Sequence, residues 1–448
     1  MQENSCKNCG AHFTVTSDDL EFYKKISPSF DGKIYEIPTP TFCPDCRFQR
    51  RLAMRNEHKL YKRKCDSCDK TIIALFSEKS EYTVYCQDCW WSDKLDAHSY
   101  AKEFDFSRTF FEQFNELYKK VPAMNLINGL NSLQNSEYVN FMTDAKNCYL
   151  VFAANWLEDC MFSSFIWKSK DTLDSAFSTD LELCYECVDC DHLYNCDYLR
   201  NSESCSDCVL SFDLKNCSHC FGCVNLRNKK YCFFNEQLEQ GEYENRVAAI
   251  KKDKQEFQEA QERFEQFRYR FPHLYAHQIH CENSTGDAIK NCKNVFNSFE
   301  GYESEDCKNM FNFPGQCKDC MDVSGCAEIQ LVYDSACVFP GYNISFSNMV
   351  LNGGNNILYS AFCVNNCKNL FGCVGLKKDE YSILNKKYTP EEYEKIIPKI
   401  IEHMRRTGEF GEFFTVSISQ FGYNESSAQD YFPMTKEQAI KKGYKWRD

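Results

Sequence analysis

The sequence predicts a mainly β protein with helical caps, in which a cysteine-rich N-terminal domain precedes a repetitive β-solenoid in two halves. Three observations support this fold class. Four Cys-x-x-Cys pairs occur before residue 90, the middle of the chain repeats every twelve residues, and one segment of the repeat recurs 150 residues later. With 448 residues, the chain is long enough for several domains that each bury a core.

The composition excludes several broad classes of protein. Hydrophobic residues make up 43% of the chain and aromatic residues 15%, which is typical of a folded rather than a disordered protein. No apolar run is long enough to cross a bilayer, and the first residues lack the features of a secretion signal. We therefore expect a cytoplasmic protein with no membrane partner. In that reducing compartment the 30 cysteines should be thiols or metal ligands rather than disulfides.

The N-terminal Cys-x-x-Cys pairs have the spacing of zinc ligands. Two such turns bring four thiolates around one ion and complete a tetrahedral site. Sequential pairing of the four turns gives two sites, but Cys46 and Cys65 are close enough in sequence for a cross-braced arrangement, which stays open. The predicted ligands of two structural Zn²⁺ ions are Cys6, Cys9, Cys43, Cys46, Cys65, Cys68, Cys86 and Cys89.

Residues 65–89 hold few large apolar side chains, so their folding should depend on metal. Ordering each residue costs roughly 1.5 kcal/mol, which so small a core does not offset. A structural zinc ion contributes on the order of 10–16 kcal/mol. Four thiolates leave no open coordination position, which indicates a structural rather than a catalytic site. The N-terminal domain is therefore predicted to be a double zinc ribbon.

The segment between residues 47 and 64 is strongly basic, although the net charge of the chain is −13. A dense basic stripe suits contacts with the phosphates of RNA or of a ribosomal surface. The alternative is a solvated face, or a face that pairs with the acidic remainder of the same chain. The candidate nucleic-acid-binding residues are Arg47, Arg50, Arg51, Arg55, Lys59, Lys62, Arg63 and Lys64.

Cysteines in the middle of the chain fall on a twelve-residue lattice. A twelve-residue unit is too short to bury its own core, whereas stacked units share one, which favours a β-solenoid. Apolar residues are expected at alternating positions of each short strand. A meander of antiparallel strands is the alternative. The lattice is formed by Cys148, Cys160, Cys184, Cys196, Cys208, Cys220 and Cys232, with Thr172 in the one gap.

The central cysteines admit three interpretations. They form an apolar ladder of small buried side chains, one or more further zinc sites, or an iron–sulfur cluster, although no run matches a ferredoxin pattern. Structural repetition by itself supplies Cys-x-x-Cys spacings, which favours the ladder. The candidate ligands of a second metal cluster are Cys184, Cys187, Cys205, Cys208, Cys217 and Cys220.

Residues 216–235 recur as residues 366–385 without a gap, and each copy leads into a predicted helix. In the second copy leucine and serine stand where the first has Cys220 and Cys232, which suits packing better than metal binding. The predicted organisation is a double zinc ribbon at 1–92, a linker with a docking helix at 93–130, a first solenoid half at 131–240, a helix at 241–275, a second half at 276–388, and a C-terminal helix with a docking tail at 389–448.

Three stretches of sequence resemble uncharacterised, cysteine-rich bacterial proteins of candidate phyla with N-terminal probable zinc-ribbon domains. They are Cys43-Pro-Asp-Cys46-Arg47 with the arginines that follow it, Asn366-Cys-Lys-Asn-Leu-Phe-Gly-Cys-Val374, and Tyr423-Asn-Glu425 with Phe432-Pro433. The resemblance covers nearly the whole chain. It implies sequential pairing of the zinc ligands but no established activity. Some such proteins carry a CoA-transferase label, which no glycine-rich nucleotide loop supports here.

Three functions are consistent with these patterns. The favoured one is a non-enzymatic zinc-binding protein that contacts RNA or a ribosome through residues 47–64, or a protein partner through an extended solenoid face. The second is a metal-handling or thiol-redox protein that uses the central cysteines. The third is a β-helix enzyme, which rests on analogy of fold and on acidic residues that more often lie in solvated turns. The sequence identifies no small-molecule substrate and no catalytic residue.

Overall fold

The computed structural model describes residues 1–129 and 132–448. The chain is mainly β and divides into two compact units. The larger unit comprises residues 1–72, 76–125 and 276–448, and the smaller unit comprises residues 73–75 and 126–275. The predicted boundary between residues 130 and 131 lies outside the described residues.

Short strands and helices make up the first 124 residues. Capping boxes begin two of the helices, at Thr16 with Asp19 and at Thr109 with Glu112. The elements are β1 (Gln2–Ser5), β2 (His12–Val15), α1 (Ser17–Ile26), β3 (Ser29–Phe30), β4 (Lys33–Ile34), α2 (Pro44–Leu52), β5 (Tyr61–Lys64), β6 (Thr71–Ala74), β7 (Val84–Tyr85), α3 (Gln87–Trp91), a 3-10 turn (Ala97–Tyr100), α4 (Phe110–Lys120) and β8 (Ala123–Met124).

The smaller unit consists mainly of one parallel sheet followed by two helices. Its strands are β9 (Leu133–Gln134), β10 (Val139–Lys146), β11 (Val151–Glu158), β12 (Ser164–Lys170), β13 (Ala176–Glu182), β14 (Asp191–Tyr194), β15 (Asp197–Arg200), β16 (Glu203–Ser206), β17 (Val209–Phe212), β18 (Ser218–Phe221), β19 (Lys230–Phe233) and β20 (Glu236–Gln237). Instead of the one predicted helix, α5 (Gln240–Lys252) and α6 (Lys254–Arg268) follow, because Asp253 ends the first and caps the second.

The larger unit contains the second parallel sheet. Its strands are β21 (Gln278–Ile279), β22 (Gly286–Lys290), β23 (Lys293–Phe296), β24 (Ser298–Tyr302), β25 (Glu305–Lys308), β26 (Phe311–Pro314), β27 (Lys318–Cys326), β28 (Ile329–Phe339), β29 (Gly341–Ser345), β30 (Asn348–Leu351), β31 (Gly354–Leu358), β32 (Cys367–Phe371), β33 (Glu380–Ile383) and β34 (Lys386–Lys387). After them come α7 (Pro390–Thr407), 3-10 turns (Val416–Ile418 and Tyr423–Glu425), α8 (Ala428–Tyr431) and α9 (Lys436–Lys441).

Strand pairing follows the sequence repeat. In the smaller unit Val139 of β10 pairs with Val151 of β11, in parallel and twelve residues on. In the larger unit Lys308 pairs with Met321, also in parallel, where one extra residue is accommodated. The repeats of both units pair in this way, so the antiparallel meander considered as an alternative is wrong.

The side chains that fill the interior recur every third residue rather than at alternating positions, which corrects the predicted pattern. A residue with positive φ precedes each buried one, as Leu183, Glu186 and Asp189 do before Cys184, Cys187 and Cys190. Asn and Asp tolerate this left-handed conformation best among non-glycine residues, which accounts for their frequency here. Because four such triplets make one twelve-residue repeat, Cys-x-x-Cys spacings arise from the backbone alone.

No helix among the residues that the structure describes is both long and apolar enough to span a membrane.

Candidate metal centres and the arginine helix

The eight N-terminal cysteines form two groups of four in the larger unit. The sulfur atoms of Cys6, Cys9, Cys43 and Cys46 all lie within 4.8 Å of one another, and so do those of Cys65, Cys68, Cys86 and Cys89. This grouping joins the turns in sequential order, so the cross-braced arrangement is not formed.

In each cluster one sulfur–sulfur distance matches the edge of a zinc tetrahedron. The Sγ atoms of Cys9 and Cys43 are 3.7 Å apart, and those of Cys68 and Cys86 are 3.9 Å apart. With Zn–S bonds of about 2.3 Å, a regular tetrahedron has edges of about 3.8 Å. Each group therefore has the size and the donor set that a Zn²⁺ ion requires.

Both clusters are built from the same two pieces of backbone. The first piece is a tight turn, in which the amide of Gly10 donates to the carbonyl of Cys6 and the amide of Asp69 donates to that of Cys65, each at 2.9 Å. Gly10 and Asp69 both adopt positive φ, 77° and 61°, which explains why glycine suits the first turn.

The second piece is the start of a helix. Cys43 and Cys86 are the N-cap residues of α2 and α3, so the second pair of each cluster lies at a helix N-terminus. The positive end of the helix dipole stabilises thiolates there. Two N–H···S hydrogen bonds, both 3.2 Å, add to this effect: the Cys86 amide donates to the Cys65 sulfur, and the Asn8 side chain donates to that of Cys46.

The pKa values of the thiols differ within each cluster. Burial raises the pKa of Cys86 to about 12 and also raises that of Cys46. Burial acts in the same direction on Cys6 and Cys65, but backbone N–H donors outweigh it and lower the pKa to about 6 and about 7. A cation is therefore needed to keep all four sulfurs of a cluster ionised together at neutral pH.

The central cysteines lie in a different environment. Among the residues that the structure describes, Cys184, Cys187, Cys205, Cys208, Cys217 and Cys220 belong to no group with metal-ligand geometry. Their thiols point at backbone carbonyls instead: the Cys187 sulfur is 3.4 Å from the carbonyl oxygen of Cys196. Twelve-residue pairing spreads these thiols along the sheet rather than gathering them around one point.

One further group of ligand-type residues was not anticipated from sequence. Asp180, Asp191 and His192 lie together on the smaller unit, and the imidazole is within 2.6 Å of one carboxylate and 3.3 Å of the other. His192 is 61% exposed. This arrangement is a polar cluster at the protein surface, and contacts of this kind contribute little to stability.

The arginines of α2 contact acidic residues of the second parallel sheet. The guanidinium of Arg47 donates from Nε and Nη2 to Asp322, both at 2.8 Å. Arg50 and Arg51 both donate to Asp334, at 2.9 and 2.7 Å. Arg50 also reaches Glu412, at 3.0 Å. The three arginines thus tie one face of α2 to β27, β28 and the loop after α7.

These contacts correct the prediction of an exposed basic stripe. Five of the eight candidate residues are buried, namely Arg47, Arg50, Arg51, Arg55 and Arg63. Only Lys59, Lys62 and Lys64 are exposed. Of the alternatives considered for the basic segment, pairing with the acidic remainder of the chain is the one that forms. The buried arginines are in contact with protein carboxylates and carbonyls and present no face to a nucleic acid.

Burial and neighbouring negative charge shift the pKa values of Arg47 and Arg55 in opposite directions. Burial lowers the pKa of Arg47, but the charge of Asp322 outweighs it and the pKa is raised. Arg55 is fully buried, and its pKa is raised as well, because Cys337 and Glu57 offset the effect of burial. Arg47 and Arg55 therefore stay cationic inside the protein.

Sequence reasoning missed the acidic partners of α2. Asp322 and Asp334 both occupy left-handed positions on successive repeats, with φ of 57° and 37°. Locally they look like solvated turn residues, and nothing near them in sequence identifies α2 as their partner.

Comparison of the chain with protein-family models, with curated proteins and with solved structures finds no match. The resemblance to cysteine-rich bacterial proteins therefore stays a prediction.

Proposed function

We propose that this chain is a non-enzymatic zinc protein that serves as a protein-interaction scaffold. Two Zn²⁺ ions would fold its N-terminal residues into a double zinc ribbon. The ribbon would present α2 to the second parallel sheet, and each parallel sheet would be one β-solenoid half. The observation that carries this proposal is the pair of four-cysteine clusters, each with the dimensions of a zinc tetrahedron.

The donor set favours zinc in a structural role. Thiolates are soft ligands that select zinc over magnesium or calcium, and four of them in a tetrahedron leave no position for substrate. The helix that begins at Cys43 also carries the arginines that contact Asp322 and Asp334. Metal binding would therefore fix the position of α2 and, through it, the packing of α2 on the sheet.

A solenoid is favoured by how the repeats pair and pack. Parallel pairing at offsets of twelve or thirteen residues places each repeat on the next. Inward residues at every third position, such as Cys184, Cys187 and Cys190, would then form stacked rows in a shared core. Such a stack presents a long outer surface, which in other repeat proteins serves for binding partners.

A protein partner is favoured over RNA because of where the charges lie. Arg47, Arg50 and Arg51 are used inside the protein. The exposed large apolar side chains of the smaller unit, by contrast, include Tyr149 and Phe162, which are 42% and 49% exposed. Exposed aromatic clusters of this kind mark protein-binding surfaces more often than phosphate-binding ones.

The test is a metal count on the full-length chain purified without added zinc. We expect two zinc ions per chain by native mass spectrometry, and one in the variant Cys6→Ser/Cys9→Ser. The matched control Cys184→Ser/Cys187→Ser should keep two. A chain that holds no zinc, or one that loses zinc in the control variant, would contradict the proposal.

A further inference from the structure

The two units carry one surface at equivalent positions of their repeats. Phe221 and Phe371 are equivalent because they stand 150 residues apart in the two gap-free copies. In the smaller unit, parallel strand pairing joins Phe221 to Val209, Val209 to Asp197 and Asp197 to Tyr185, which makes three steps back along the repeats. The same three steps lead from Phe371 through Leu358 and Ser345 to Tyr333. Tyr185 of the smaller unit therefore corresponds to Tyr333 of the larger one.

This correspondence places two pairs of acids at the same positions. Glu186 follows Tyr185, as Asp334 follows Tyr333. One further pairing step leads to Leu173 in the smaller unit and to Met321 in the larger one. Each is followed by an aspartate, so Asp174 corresponds to Asp322.

In the larger unit this surface is covered by the chain's own helices. Asp322 and Asp334 are 0% and 1% exposed beneath the arginines of α2. Tyr333 packs against Tyr23 of α1 with ring centroids 5.3 Å apart. Further along the same surface, Phe110 of α4 packs on Phe371 at 5.4 Å. Aromatic and arginine side chains from helices thus help to bury the equivalent positions from Met321 to Phe371.

In the part of the smaller unit that the structure describes, helices cover only the last repeats. Phe257 of α6 packs on Tyr198 at 5.6 Å, and Phe267 packs on Phe234 at 5.3 Å. On the earlier repeats no helix among the described residues covers the corresponding acids or the aromatic side chains beside them. We call this surface the open face; its members are Tyr138, Tyr149, Met161, Phe162, Leu173, Asp174, Tyr185 and Glu186.

The open face is aromatic at one end and acidic at the other. Tyr138, Tyr149 and Phe162 form a ladder with centroid separations of 5.3 and 5.8 Å, although these rings are 37%, 42% and 49% exposed. Asp174 is exposed and Glu186 is half-buried. Among the residues that the structure describes, neither carboxylate forms an ion pair with a lysine or an arginine, unlike Asp322 and Asp334.

We propose that the open face binds an arginine-bearing amphipathic helix of a partner protein, in the way that the larger unit binds α2. The proposal rests on the scaffold function proposed above and names the class of partner. The helix would place arginines on Asp174 and Glu186, and its apolar side chains on the aromatic ladder. Charge complementarity supports this occupant, as does the continuity of the open face with the surface that α5 and α6 already cover.

One difference between the units restricts which helix fits. In the larger unit Arg55 lies so close to Gly325 that a Cβ on this glycine would stand 2.1 Å from Nη1. The equivalent position in the smaller unit is Phe177, three residues after Asp174, and its ring stacks on Phe165 at 4.8 Å. The partner helix therefore has counterparts of Arg47, Arg50 and Arg51 but none of Arg55.

The test uses the full-length, zinc-loaded protein and a labelled peptide with the sequence of residues 44–54. In this peptide Cys46 is replaced by Ser and Gln49 by Lys, and a lactam between the side chains of residues 45 and 49 keeps it helical. Fluorescence anisotropy should show binding that weakens as salt is added. A control peptide, in which glutamine replaces Arg47, Arg50 and Arg51, should not bind.

Variants of the full-length protein locate the binding surface. We expect Asp174→Asn/Glu186→Gln to weaken peptide binding by about tenfold or more, because it removes both charge partners. The matched control Asp171→Asn/Glu182→Gln removes the same charge from exposed positions outside the open face and should bind as the unmodified protein does.

Three results would overturn the proposal. The first is equal binding by both double variants, and the second is no binding of the arginine peptide to a protein that holds two zinc ions. That second result would leave the zinc proposal intact. The third is a dimer in sedimentation velocity that Asp174→Asn/Glu186→Gln dissociates, because the occupant would then be a second copy of this chain.

Discussion

Arg51 and Asp334 form an ion pair at 2.7 Å, in which the two side chains are 0% and 1% exposed. The same carboxylate also accepts from Arg50 at 2.9 Å. More than 280 residues separate the partners along the chain. A buried ion pair of this kind contributes little net stability, but the loss of one member leaves an uncompensated charge inside the protein.

The substitution Asp334→Asn should destabilise the protein by about 3–5 kcal/mol, because it leaves Arg50 and Arg51 buried beside a neutral amide. The midpoint of urea denaturation of the zinc-loaded protein measures this loss. The matched control is Glu305→Gln, which removes a partner of Lys318 from a pair in which both side chains are about half exposed. That change should cost less than about 1 kcal/mol. Equal losses in the two variants would contradict a structural role for the buried pair.

Removal of zinc should release α2 from the sheet, because Cys43 and Cys46 lie in its first turn. After treatment with a strong chelator, hydrogen exchange should become fast in α2 and in the turn at Gly10. Protection of β11 and β12 in the smaller unit should stay high. Addition of zinc should restore protection in α2. If α2 stays protected in metal-free protein, the clusters do not control its docking.

Chelation should also separate the thiols into two classes. The eight cysteines of the two clusters should react with a thiol reagent within minutes once the metal is removed. Apart from the half-buried Cys281, the repeat cysteines, such as Cys187 and Cys208, are buried and should react only on unfolding. Mass spectrometry after brief alkylation counts the modified sites. Rapid labelling of Cys187 in the zinc-loaded protein would contradict a packing role for the central cysteines.

The substitution Gly325→Ala should destabilise the larger unit by about 1–3 kcal/mol. Gly325 has φ of 66°, and its new Cβ would collide with the guanidinium of Arg55. The matched control is Gly241→Ala in α5, where a Cβ meets nothing within 4 Å. Because alanine is the better helix former, this control should be neutral or stabilising by about 0.5–1 kcal/mol. Thermal melts of both variants measure the difference, and a stable Gly325→Ala protein would show that Arg55 can move aside.

The two four-cysteine clusters could be predicted from sequence because their geometry is local. The turn after Cys6 and the helix start at Cys43 each fix two ligands within four residues, so only the pairing of turns was left open. The twelve-residue period was also visible in the sequence. In the structure it corresponds to parallel pairing of residues twelve positions apart. The triplet pattern was missed, because the inward rows mix cysteine with Ser175, Leu181 and other small or apolar residues, which hides a period of three.

The sequence by itself determined which cysteines form each Cys-x-x-Cys turn and how many residues separate paired strands, because both follow from the conformation of neighbouring residues. Whether the arginines of the basic segment are exposed or buried was decided only by the tertiary structure. An arginine that becomes buried and one that stays exposed can have the same neighbours in sequence. The arginines of α2 are buried because they pair with carboxylates that lie far along the chain. The packing of α2 on β27 and β28 removes water from both partners and converts an expected binding surface into part of the interior. Among the described residues no helix covers the corresponding acids Asp174 and Glu186, and the proposal of a partner helix on the open face starts from this difference.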